Sequence, residues 1–298
     1  MKLPAYHPFR SAKAKEEHLA LYDLRAQKWP VASEARMVET SLGQTFVRIS
    51  GATNDQVLVL LHGASANSLM WMQNIEALSA CYKTYAVDNI YDYGRSVYTR
   101  LIKEPDDYVN WLDELFTTLA LGNRIHLMGM SYGGWLTSLY ALRFPNRLAK
   151  IVIIAPAATV LPMRFVFWMR AILSGLHPRF LKSFMVWILG DGASKDSIAQ
   201  KLVEEGIGDV LVASRCFKPK ATLFPTTLSD RELQSLQVPL LYMVGEHEKI
   251  YSAKKAVHRL KTIAPQVKTE IIPGAGHNLI LAQAEMVNRK VLEFLKQP

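Results

Sequence analysis

The run "QVLVLLHG", residues 56–63, is aliphatic from Val57 to Leu61 and leaves no side for water. A strand with one wet face alternates polar and apolar residues. An unbroken run therefore marks a strand covered on both faces, as in a parallel sheet. Further strands are read at "KTYAVD", "RIHLMG", "AKIVIIAP" and "VPLLYMVG", each with an apolar stretch, and at the more polar "VKTEIIPG". Helix-compatible sequence separates them around residues 70–80, near 106–120 and directly after Ser131. Strands and helices alternating in this way predict an α/β fold with a doubly wound, mostly parallel sheet. Such sheets bind ligands beyond the carboxyl ends of their strands. Half of the chain is hydrophobic and a fifth is charged, which is enough apolar material for a large core.

The alternation is preceded by a charged, amphipathic helix expected over residues 11–28 and closed by Trp29-Pro30. A hairpin follows in "EARMVETSLGQTFVRISG", turning at Ser41–Gly43. A longer break falls between the strand ending at Ala155 and the one starting at Val238. Residues 161–236 are helical in character and rich in Met and aromatic residues, too long for an ordinary crossover. The expected division is a core of residues 1–160 and 237–298, with 161–236 inserted as a helical cap over the strand ends.

The net charge of +9 invites a nucleic-acid reading, but the basic residues are scattered and no basic run is interleaved with aromatics. No nucleic-acid partner is expected. Cys81 and Cys216 allow one bridge at most, which is no disulfide framework, and no His/Cys cluster points to a metal. The first thirty residues show no apolar h-region. The apolar stretch "FVFWMRAILSGL" is interrupted by Arg170 and too short to span a bilayer. The expectation is a cytoplasmic chain with no membrane span, and nothing in the sequence sets its oligomeric state.

"GMSYG", residues 129–133, holds Ser131 in the G-x-S-x-G spacing, after one strand and at the head of a helix. That context makes it a nucleophile elbow, a turn so sharp that neighbouring Cβ atoms would clash. A serine hydroxyl needs a base. His277, in "GAGHNLILAQAE" after the last strand, is the candidate. The orienting acid should follow the preceding strand, and "VGEHEKIYS" offers Glu246 and Glu248. Glu248, three residues past Gly245, is preferred; Glu246 and His247 are read as loop-shaping or solvated. The oxyanion hole needs two backbone N–H groups. Tyr132, next to the nucleophile, supplies one and Ala64 in "LLHGASANS" the other, with Gly63 allowing close approach. No phosphate-binding pattern and no cofactor are implied.

With "VLLHGA", "TYAVD", "DYVNWL", "GMSYGG", "GEHEKIY" and "GAGH" in place, the chain resembles the α/β-hydrolase superfamily over nearly its whole length, and more narrowly the bacterial carboxylesterase NP group. That group similarly carries glutamate where most of the superfamily has aspartate, which supports Glu248. The resemblance implies a serine esterase acting on small hydrophobic carboxylic esters beneath a helical cap. One departure stands out: the loop after "AVD" reads "NIYDYGRS", with Tyr91 where many relatives have glycine. Because that loop is expected to border the pocket, the substrate preference of the group is not carried over. Two alternatives remain at this stage. The same triad could act on lactones, amides or C–C bonds, or the fold could serve as a non-catalytic small-molecule receptor.

Overall fold

The computed structural model describes residues 3–190, 197–220 and 223–297. In chain order its strands are β1 (Ser33–Thr40), β2 (Gly43–Ser50), β3 (Val57–Leu61), β4 (Lys83–Val87), β5 (Val97–Tyr98), β6 (Ile125–Met130), β7 (Leu148–Ile154), β8 (Leu240–Gly245) and β9 (Lys268–Ile272). They form one sheet in the order β1-β2-β4-β3-β6-β7-β8-β9, with the two-residue β5 paired to β2. From β4 to β9 every neighbour is parallel, while β1 and β2 run antiparallel at one edge. The hairpin joining β1 and β2 turns where the sequence places it, since Thr40 pairs with Gly43. The strands read from unbroken runs are the covered ones: β6 and β8 are buried at every position. The edge strand β9 is buried only at Ile272.

The helices are α1 (Ala12–Ala26), α2 (Ile75–Ser79), α3 (Pro105–Thr118), α4 (Tyr132–Arg143), α5 (Phe165–Ser174), α6 (Pro178–Leu189), α7 (Ser197–Cys216), α8 (Asp230–Gln234), α9 (Ala253–Ile263), α10 (Leu279–Ala282) and α11 (Ala284–Lys296). Alternate strand residues feed two cores. Val59, Leu61, Leu127 and Ile153 pack with α3, α4 and α9 on one face. Leu58, Leu60, Met128 and Val152 pack with α2 and α11 on the other. This is the period-two alternation of a pleated sheet with helices on both sides.

Two expectations need correction. The helix read over residues 70–80 is broken into a 3-10 turn, Ser68–Trp71, and the short α2. Buried Asn74 sits at the break and donates to Ile280 O at 3.1 Å and Asn288 Oδ1 at 2.8 Å, so it serves the contact with α11 instead of continuing a helix. The first helix is not amphipathic in the usual sense. Its buried residues are His18 and Tyr22, so the stripe it turns inward is polar and aromatic.

Between β7 and β8 the chain forms α5, α6, α7 and the short α8, and residues 191–196 and 221–222 of that segment lie outside the described residues. Helix α7 is bound to α1. Arg25 makes a bidentate pair with Asp209, with contacts of 3.0 Å from Nε to Oδ2 and 3.0 Å from Nη2 to Oδ1. Arg25 and Lys28 both reach Glu205, at 3.0 and 3.2 Å. Backbone bonds from Arg10 to Cys216 and from Lys218 to Pro8 extend the contact. Cys81 and Cys216 are free thiols.

Asp88, at the carboxyl end of β4, gathers the loops there. Its wholly buried carboxylate accepts from the backbone N–H of Ser68 at 2.7 Å and of Arg95 at 2.7 Å. Asp88→Ala would leave both donors without acceptors, a loss of about 3 kcal/mol. Urea unfolding should show that loss as a lower midpoint with an unchanged slope.

Candidate active site

β6 ends at Met130, and the chain reverses into α4 through Ser131, whose backbone stands at φ 52° and ψ −112°. A non-glycine residue in that region is strained and persists only where the surroundings hold it. Here they do. Ser131 N–H donates to Ile154 O at 2.8 Å, and its carbonyl accepts from Ala157 N–H at 3.0 Å, so the end of β7 clamps both sides of the residue. The two glycines of the motif give strand and helix room to touch. A Cβ at Gly129 would lie 2.1 Å from Gly133 O, and one at Gly133 would lie 2.2 Å from Leu61 O. Neither position tolerates a side chain.

The hydroxyl so presented meets His277. The two lie in loops 146 residues apart in sequence, and Ser131 Oγ is 3.0 Å from His277 Nε2. On the far side of the ring, His277 Nδ1 is 2.8 Å from Glu248 Oε2. A carboxylate only accepts, so Nδ1 carries the proton, Nε2 is left with its lone pair, and the Ser131 hydroxyl donates to it. Glu248 Oε1 accepts from the Ile250 N–H at 2.9 Å, which fixes the carboxylate, and its side chain has no exposure to solvent. Glu246 is exposed and accepts from Gly274 N–H at 3.0 Å, the loop-shaping role expected of it.

Ala64 and Tyr132 flank the serine on the remaining side. Among the described residues, neither backbone N–H donates to another protein group. Gly63 lies against the nucleophile, with its Cβ position 3.3 Å from Ser131 Cβ. Buried His62 locks this loop. Its Nε2 accepts from Asn89 N–H at 2.9 Å, so Nδ1 bears the hydrogen and donates to Gly63 O at 2.7 Å. Asp92 holds the next residue, accepting from Ser65 N–H at 3.1 Å; burial raises its carboxyl pKa, opposed by Lys220 and His62.

A cavity of about 570 Å³ opens over Ser131, His277 and Ala64. Its walls are apolar, with Met70, Phe167, Trp168, Phe184 and Met185 prominent, and Arg25, Glu205 and Asp209 supply charge on the α1–α7 side. Tyr132 is tied into this roof as well. Its hydroxyl donates to Leu223 O at 3.0 Å, and burial pushes its phenol well above the usual range.

Every residue proposed from the sequence therefore reaches one place. Three contributors were missed. Asp92 and the α1 residues carry no motif, and the tie of His62 to Asn89 spans two strands. The loop after β4 borders the cavity as expected, through Tyr93, while Tyr91 itself is buried against Tyr98, with ring centroids 4.6 Å apart.

A sheet of this order, with a strained serine between β6 and α4 and a histidine after the last strand, defines an α/β hydrolase. The chain belongs to the alpha/beta hydrolase family, whose model matches residues 58–290. It is 37% identical over 275 residues to carboxylesterase YbfK of Bacillus subtilis, covering 92% of this chain and 92% of that one. A second B. subtilis protein, carboxylesterase nap, is 37% identical over 276 residues, covering 92% of this chain and 90% of the other. The crystal structure of naproxen esterase (carboxylesterase NP) from B. subtilis superposes with a TM-score of 0.86 at 33% identity, over 96% of this chain and 100% of that one.

If the clamp on Ser131 stores strain, glycine should relax it and alanine should not. Ser131→Gly is expected to unfold at a higher temperature than Ser131→Ala, by an amount equivalent to about 1 kcal/mol. Calorimetry of the two variants side by side measures it.

Proposed function

We propose that the protein is a serine carboxylesterase that hydrolyses small hydrophobic carboxylic esters through an acyl-enzyme on Ser131, with His277 as general base and acid and Glu248 as the orienting carboxylate. The observation that carries this reading is the unbroken Ser131–His277–Glu248 hydrogen-bond chain at the floor of an apolar cavity. The carboxylesterase names of the relatives at 37% identity support it.

In the first step Ser131 Oγ bonds to the ester carbonyl carbon while its proton passes to His277 Nε2. The carbonyl electron pair moves onto oxygen, where the N–H groups of Ala64 and Tyr132 receive it. The intermediate collapses, the alkoxide leaves, and His277 returns the proton to it as alcohol. Water then attacks the acyl carbon, giving its proton to His277. The second collapse releases the carboxylic acid and returns the proton to Ser131. Glu248 stays ionised throughout; it holds Nδ1–H and stabilises the imidazolium. The apolar surroundings strengthen each of these interactions, because little water competes for them.

Residues 161–236 act in this scheme as a cap. Helices α5 and α6 place Phe167, Trp168 and Phe184 around the cavity, a surface suited to the hydrophobic part of an ester. No cofactor takes part.

The test is steady-state kinetics on p-nitrophenyl esters. Ser131→Ala and Glu248→Gln should each lower kcat by about 10⁴-fold, with folding intact by circular dichroism. Activity retained in Ser131→Ala, or equal turnover of amides and esters by the parent, would overturn the assignment.

A further inference from the structure

Helices α5 and α6 are the most apolar by composition among the described helices of ten residues or more, yet neither has a single buried residue. One stripe of each faces the cavity. The opposite side of α5 is also apolar: Phe165, Met169, Ile172 and Leu173 recur at the spacing of one helix face, and Leu176 follows just past the helix end. Phe165 is 82% exposed, Ile172 69% and Leu176 71%. The patch continues at the α5–α6 corner to Phe180, and across Trp168 to Phe224, which is 68% exposed and also lines the cavity. A helix that is apolar all round and open to solvent on one side has a surface that calls for a partner.

The charges around the patch say which partner. Residues 161–190 contain Arg164, Arg170, Arg179 and Lys182 and no carboxylate. Arg164, Arg179 and Lys182 are exposed beside the apolar stripe. Large apolar side chains rimmed by cations and free of acids fit the boundary between the acyl chains and headgroups of an anionic bilayer. A two-fold contact between copies would set the three exposed cations of one against the three of the other, with no carboxylate from residues 161–190 between them. Among the described residues no helix is long and apolar enough to cross a membrane, so the contact would lie on the surface.

We propose that the solvent face of α5 and the α5–α6 corner docks the protein on an anionic lipid bilayer, bringing Phe224 and the cavity wall to the membrane surface. Lipophilic esters dissolved in the bilayer would then reach Ser131 directly. That consequence rests on the esterase reading above, whereas the docking does not.

Co-sedimentation tests the docking without reference to activity. The full chain is spun with vesicles of phosphatidylcholine plus phosphatidylglycerol and with vesicles of phosphatidylcholine alone, at low and high salt. The chain should pellet with the anionic vesicles, and high salt should weaken this. Two double variants, Ile172→Asp with Leu176→Asp and Arg179→Glu with Lys182→Glu, should each reduce vesicle binding by about tenfold or more. Their thermal unfolding should match the parent, since the altered side chains are exposed. The proposal is overturned if the chain stays in the supernatant with anionic vesicles, or pellets equally with phosphatidylcholine alone. It is also overturned if sedimentation equilibrium shows a dimer that Ile172→Asp with Leu176→Asp dissociates, because a second copy would then cover the face.

Discussion

Ser131 is held in a backbone conformation that a free chain would leave at once, and much of the molecule serves to hold it there. The turn is sharp because β6 and α4 touch through two glycines, and it is clamped because the end of β7 bonds to both sides of the serine. The resulting strain is local and of the order of 1–3 kcal/mol, small beside the burial of the parallel strands on either side of β6. In exchange, the hydroxyl stands clear of the sheet and next to the start of a helix.

The other groups reach the serine from separate loops, and each loop has its own restraint. Glu248 is fixed by Ile250, His62 by Asn89, Ser65 by Asp92, and the loop between β4 and β5 by Asp88. The bonds of His62 to Asn89 and of Ser65 to Asp92 each span 27 residues, so they depend on β3 and β4 lying side by side in the sheet. The segment between β7 and β8 is held by a further set of ties. Arg25 joins α1 to α7, and Tyr132 joins the head of α4 to the segment at Leu223. The sheet, the turn at Ser131 and this segment are thus connected, and residues of all three line the cavity.

Much of this was legible in the sequence. The apolar runs gave the parallel strands because full burial on two faces leaves a local signature. The elbow was legible because a steric clash can be read from glycine spacing alone. Glu248 was distinguished from Glu246 by loop position, and the geometry agrees: one carboxylate meets His277 and the other meets Gly274. What could not be read are contacts with no local pattern. Asp92 holds Ser65 across 27 residues and Arg25 meets Asp209 across 184, and neither residue sits in a motif. A substitution in a loop marks a change, but which side chain of the loop faces the cavity depends on how Tyr91 packs against Tyr98.

On the proposed mechanism, Ser131 Oγ, activated by His277, is the atom that takes up the acyl group. Peptide mass spectrometry after treatment with a fluorophosphonate tests it most directly. One adduct on the peptide carrying Ser131, lost when His277 is replaced by alanine, is the expected result. A folded protein that takes up no label, or takes it up elsewhere, would contradict the claim.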